Sequence, residues 1–215
     1  MKVTTVTTTP MRRTVRSKGR TRTSGYYGRY APMGTELKFV DTTTASATVP
    51  AAGVNFNPSL NIIAQGTGES NRIGRKCVLR SVFVRGVCLI SSAAAPNAAD
   101  DSIRIMLVHD KQCNGTAAAV TDVLETADYL SFNNLANKDR FSVLATKTLD
   151  ISATAAGYTG TAWNSASKGV TFEMYKKLMM PIEYSSTTGV ISEIRSNNLF
   201  LLAIGDQGGI ALKTK

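Results

Sequence analysis

The run Arg75–Ile90, RKCVLRSVFVRGVCLI, constrains the fold most. It is dense in Val, Leu, Phe and Ile and contains no proline. Residues of that kind favour a pleated, half-buried strand. A strand that long needs a sheet around it and a second layer to cover its apolar face. Arg80 and Arg85 interrupt the run at unequal spacing, so the two faces do not separate cleanly.

Further runs extend the pattern. In SIRIMLVHD, Ile103, Ile105 and Leu107 alternate with Arg104, Met106 and Val108, as in a half-buried or fully buried strand. DRFSVLATKTLDIS reads as one long strand or a pair. VTFEMYKKLMMPIEYSS reads as another, with Phe172 and Met174 alternating with Glu173 and Tyr175, and with Pro181 marking a break or a strand start. ELKFV opens the set as a short strand, LNIIAQG is a second short apolar piece, and GVISEIRS and NLFLLAIGD close it. TTTASATVPAAGVNFNPS reads as a loop. VTDVLETADYL is the one plausible helix, about three turns long, with Thr121 as its cap and Asp122 and Glu125 in its first turn. Many strands with long connections, and almost no tight hairpin signals, predict an all-β protein. The expected architecture is an eight-stranded single jelly-roll β-sandwich.

Charge divides the chain differently. Residues 1–30 carry eight of the 25 Lys and Arg and none of the 15 acids, which leaves a balance of +2 for the rest. Residues 1–35 therefore read as a flexible, disordered basic arm and residues 36–215 as the folded domain. A block of one sign points to a polyanion. Lys2, Arg12, Arg13, Arg16, Lys18, Arg20, Arg22 and Arg29 can neutralise backbone phosphates. Tyr26, Tyr27 and Tyr30 stand among them, suited either to stacking on unpaired bases or to packing against the body. No base-reading module is visible, so binding should tolerate any sequence. Arg72, Arg75 and Lys76, in the turn NRIGRK, form a second basic cluster that could line an inner face.

Other functions find little support. No apolar run is long enough to span a bilayer, so membrane insertion is not expected. The N-terminus has no apolar stretch of a secretory signal and too few apolar residues for an amphipathic transit helix. Cys77, Cys88 and Cys113 give neither a disulfide framework nor a zinc pair, and suggest folding in a reducing compartment. His109, the single histidine, stands near Cys113 without the further ligands a metal needs. Asp100, Asp101, Asp110 and Asp139 read as loop acids rather than calcium ligands. GTGES lacks the ending of a phosphate loop, and there is no GxSxG elbow. Neither a cofactor nor an enzymatic activity is expected.

Taken in order, NIIAQGTGESNRIGRKCVLRSVFVRG, IRIMLVHDKQCNG, DVLETADYLSFNNLANKDRFSVLATKTLDI, FEMYKKLMMPIEYSS and NNLFLLAIGD resemble the capsid proteins of small circular Rep-encoding single-stranded DNA viruses. The fold and arm are also similar to coat proteins of small RNA satellite and plant viruses. The resemblance implies a shell protein that assembles with itself into an icosahedral virion, with about sixty copies as the simplest closed count. It implies a packaged single-stranded DNA or RNA genome. For a DNA virus it implies assembly in the host nucleus, with RRTVRSKGRTR serving host nuclear import factors as well as the genome. The alternative is a cellular single-stranded nucleic-acid-binding β-domain with a basic tail. That reading needs aromatics on the faces of its strands, yet three of the seven tyrosines lie in the arm.

Overall fold

The computed structural model describes residues 37–90, 100–152 and 169–215. In them the apolar runs become strands: β1 (Thr44–Val49), β2 (Val54–Asn57), β3 (Lys76–Ile90), β4 (Asp100–Asp110), β5 (Phe141–Ser152), β6 (Val170–Tyr184), β7 (Ile194–Ser196), β8 (Asn198–Gly205) and β9 (Ile210–Thr214). All pairs are antiparallel. The first sheet has the order β1-β9-β3-β6-β7 and the second β2-β8-β4-β5. Two four-stranded layers, β1-β9-β3-β6 and β2-β8-β4-β5, make the expected all-β jelly-roll sandwich. The ninth strand, β7, is three residues long and extends the first sheet past β6.

The chain repeatedly crosses between layers, so each strand turns an apolar face inward. Val49, Val84, Cys88, Phe172, Met174 and Leu212 of the first sheet share one buried cluster with Ile103, Ile105, Leu107, Leu149, Leu201 and Ala203 of the second. Gly86 faces this layer for a steric reason. A Cβ there would lie 2.6 Å from the Phe172 ring and 2.6 Å from the Lys213 carbonyl oxygen. Its absence lets the ring slide under β3.

The second sheet is also covered on its other face. Met106, Val108, Phe200, Leu202 and Ile204 pack against Ala118, Val123, Leu124 and Phe141. All but Phe141, the first residue of β5, come from the connection between β4 and β5. Every residue of β8 is therefore buried. The base of that connection is closed by Asp110, whose carboxylate receives Arg140 Nε and Nη2, both at 3.0 Å. The guanidinium also lies 4.6 Å from the Phe141 ring centre. Farther out, Arg104 Nη1 donates to the Ser131 carbonyl at 2.6 Å.

Several local expectations need correction. ELKFV forms no strand over its described residues 37–40, whereas β1 and β2 lie inside the segment read as a loop. TASATV and VNFN are too short and polar to show a period, and they gain their hydrogen bonds from β9 and β8. The helix shrinks to α1 (Val120–Val123) and is preceded by Ala119 rather than capped by Thr121. The Asp122 carboxylate does receive the Ala119 N–H, at 2.8 Å. After one turn, Val123 and Leu124 are drawn into the core and the chain extends. DRFSVLATKTLDIS yields a single strand, and Pro181 sits inside β6. The proline is tolerated because β7 pairs only from Glu183 onward, leaving β6 as an edge there. Strand β9, in IALKT, escaped the sequence reading.

Leu201, fully buried between the layers, should be expensive to truncate. Leu201→Ala is expected to cost about 2–5 kcal/mol in urea unfolding followed by circular dichroism. Ile73→Ala, at an exposed turn position, should change stability by no more than about 0.5 kcal/mol.

Candidate nucleic-acid interface

The arm candidates Arg12, Arg13, Arg16, Lys18, Arg20, Arg22, Tyr26, Tyr27, Arg29 and Tyr30 lie outside the described residues, as does the loop containing Trp163. The second basic cluster is described in full. Gly74, at φ +82°, turns the chain into β3, and the three cations on either side of it have different fates.

Arg72 is only 3% exposed. Its Nε donates to the Ile63 carbonyl at 2.8 Å, and its two terminal nitrogens donate to the carbonyls of Gly74 and Ser186. The guanidinium carbon lies 4.1 Å from the centre of the Tyr184 ring. The Tyr184 hydroxyl in turn donates to the Asn61 carbonyl at 2.6 Å. Ile63 and Gly74 lie in the long β2–β3 connection and Ser186 in the turn after β6, outside any ladder, and one planar five-donor group gathers their carbonyls. Arg72 is therefore a structural clamp, with its donors turned away from solvent phosphates. Lys76 is exposed and pairs with Glu183 at 3.3 Å, a surface contact of little energetic weight. Arg75 is exposed, and its carbonyl receives the Tyr184 N–H at 2.9 Å.

The outward face of the first sheet carries residues that the sequence pattern had hidden. A β-bulge lies between Leu79 and Ser81. It shifts the parity of β3 by one residue, so Arg80 and Arg85 are both exposed while Leu79, Val82 and Val84 pack inward. Phe83 and Tyr175 are register partners on this face, 48% and 64% exposed. Beside them run Arg85 opposite Glu173, and Ser81 opposite Lys177. Lys213 is opposite Val87. A regular alternation would have given Arg80 and Arg85 opposite faces. The spacing itself was the signal for a bulge.

A different kind of surface lies on the β4–β5 connection. Leu130 and Phe132 are 78% and 79% exposed, and Leu135 is also exposed. The segment beneath them is held firmly. Leu124 bridges to Asn133, and the Asn134 N–H donates to the Val123 carbonyl at 2.8 Å. The buried Ser131 hydroxyl receives the Thr126 N–H at 2.9 Å. Large apolar side chains displayed by an ordered loop mark a contact surface.

The acids weighed as metal ligands are occupied or dispersed. Asp101 receives the N–H groups of Gln207 at 2.8 Å and Gly209 at 2.6 Å, and Asp110 is engaged by Arg140. His109 Nε2 lies 2.9 Å from Asn197 Oδ1. Among the described residues no group of three His, Cys, Asp or Glu could hold a metal ion. The three thiols are unpaired. Burial pushes Cys88 up to about 12, while burial and then the nearby Asp110 push Cys113 up to about 11. Cys88 is a core side chain, and Cys77 and Cys113 pack half-buried against a neighbouring cluster.

Residues 31–213 match the model of a protein family described as satellite tobacco necrosis virus coat protein. No curated protein matches the chain. The viral-capsid reading stands at that level, but the matched family is a satellite virus coat rather than the circular single-stranded DNA group that the blocks resemble. The blocks are strands with their turns, and shell proteins of one architecture share these whatever their genome.

The clamp and the surface pair can be told apart by substitution. Arg72→Ala leaves three carbonyls without their donor, and is expected to destabilise the fold by about 2–4 kcal/mol. Lys76→Ala should be near neutral. Chemical unfolding of both variants measures the contrast.

Proposed function

Because the chain belongs to the satellite tobacco necrosis virus coat protein family, it is a structural protein of a viral shell, and we propose that its jelly-roll body closes an icosahedral particle around single-stranded nucleic acid held by the N-terminal arm. The observation that carries the assembly reading is the trio Leu130, Phe132 and Leu135, exposed on a hydrogen-bonded loop. In a closed shell a neighbouring copy covers such a surface. The body's charge supports the same reading. With +2 over residues 31–215, copies approach one another with little repulsion, and the cationic block is left for the polymer.

Two readings of that polymer rest on different observations. The match to a satellite virus coat favours RNA, as in the RNA satellite viruses whose coats the fold and arm resemble. The order of sequence blocks favours circular single-stranded DNA, and with it nuclear assembly and import through RRTVRSKGRTR. About sixty copies would be the simplest closed count for either. Digestion of the extracted polymer with ribonuclease or deoxyribonuclease distinguishes them.

Electron microscopy of the purified chain should show closed particles of uniform size. Monomers or open oligomers under every salt condition, with and without nucleic acid, would sink the shell reading. Phe132→Asp is expected to leave the circular dichroism spectrum unchanged and abolish particles in size-exclusion chromatography with light scattering.

Removal of residues 1–30 should bring the ratio of absorbance at 260 and 280 nm down to that of protein alone; an unchanged ratio would reject the arm's role. With up to eight phosphate contacts, binding of a single-stranded oligonucleotide should fall with salt at a log–log slope of about −6.

A further inference from the structure

We propose that the outward face of the first sheet is a second contact for the packaged strand, with unpaired bases lying on Phe83 and Tyr175 and phosphates on Arg85, Lys177, Lys213 and Lys215. This rests on the packaging reading above and extends it from the arm to the wall.

The two layers of the sandwich are not equivalent. The second sheet is covered outside by residues 118–124. The first sheet presents Phe83 and Tyr175 to solvent among the described residues. Two aromatic side chains directly opposite on adjacent antiparallel strands lie roughly 5 Å apart at their Cβ atoms. Both rings are offered to solvent near the middle of a sheet, where exposed aromatics can stack on unpaired bases.

Cations surround the pair. The Arg85 guanidinium carbon lies 5.5 Å from the centre of the Phe83 ring. Lys215 pairs through its backbone with Arg85, its N–H donating at 2.8 Å and its carbonyl accepting at 3.0 Å. Lys177 stands in the row on the far side of the aromatics, and Lys213 stands in the row beyond Arg85. Rows on one face are roughly 7 Å apart, so a strand crossing the pair stays within reach of all four. Glu173 is the acid in these rows, opposite Arg85. Asp41 pairs with Lys215 at 3.7 Å, so the chain leading to β1 enters beside the patch. A second copy presenting the same face here would set Arg85 and three lysines against only Glu173 and Asp41, whereas a polyanion with exposed bases complements both the cations and the aromatics.

Ultraviolet cross-linking of intact full-length particles at 254 nm, followed by nuclease digestion and peptide mass spectrometry, tests the assignment. Nucleotide adducts are expected on the peptides that contain Phe83 and Tyr175. In the double variant Phe83→Leu, Tyr175→Leu they should fall at least tenfold while arm adducts persist. In Arg85→Gln, Lys213→Gln particles, the nucleic acid should be released at lower salt. Filled particles with adducts on arm peptides alone would overturn the wall contact and leave packaging intact. Particles empty of nucleic acid would overturn packaging and the wall contact together. A leucine variant that folds but forms no particles would show that the face meets another copy, and would equally reject the proposal.

Discussion

The burial of the second sheet on both faces decides how the rest of this subunit is arranged. Strands β4 and β8 pack inward through Ile103, Ile105, Leu107 and Leu201, and outward through Met106, Val108, Phe200 and Leu202. That outer layer exists because the β4–β5 connection folds back over the sheet. Asp110 and Arg140 close its base, and Arg104 ties down its far end. With one sheet enclosed, two surfaces of different character remain on the described body. One is the rigid back of the connection itself, with Leu130, Phe132 and Leu135. The other is the open side of the first sheet. The first is apolar; the second combines cations and the Phe83–Tyr175 pair with the exposed apolar side chains Val78, Leu89 and Met179.

The bulge in β3 connects local geometry to the second surface. At the irregularity beside Arg80, three steps along β6 run against two along β3, and β3 leaves it with Arg80 and Arg85 on the exposed side and Val82 and Val84 in the core. Without it, one arginine of the two would face the apolar interior, where an unpaired charge is costly. The buried Arg72 shows the alternative outcome. There the guanidinium finds three carbonyls and an aromatic ring, and its charge is used to fasten a loop. Cations a few residues apart in the sequence thus do opposite work, according to whether backbone acceptors or water surround them.

Much of the architecture was legible before any coordinates. Long runs rich in Val, Ile, Leu and Phe became β3, β4, β5, β6 and β8, because a long apolar run signals its own burial. The short strands were not legible. TASATV, VNFN and IALKT carry little local preference, and they are strands because β9, β8 and β3 offer them unpaired N–H and C=O groups. The helix expected over VTDVLETADYL stopped after one turn for a similar reason. The core claimed Val123 and Leu124, and packing outweighed a weak local propensity.

For the candidate site, composition alone separates a cationic segment from a nearly neutral body, since net charge is a sum that folding does not alter. The succession of strand-like runs with long connections makes a β-sandwich the natural class. Which charges on the body reach solvent was decided by tertiary structure. NRIGRK offers three apparently equal cations, yet the fold buries Arg72, pairs Lys76 with Glu183 and exposes Arg75. Phe83 and Tyr175 look like core residues along the chain. They become a surface pair because a bulge sets their parity and strand register brings them opposite each other. A sequence states which groups are present, but register and burial are relations between distant segments that exist only once the two sheets have packed.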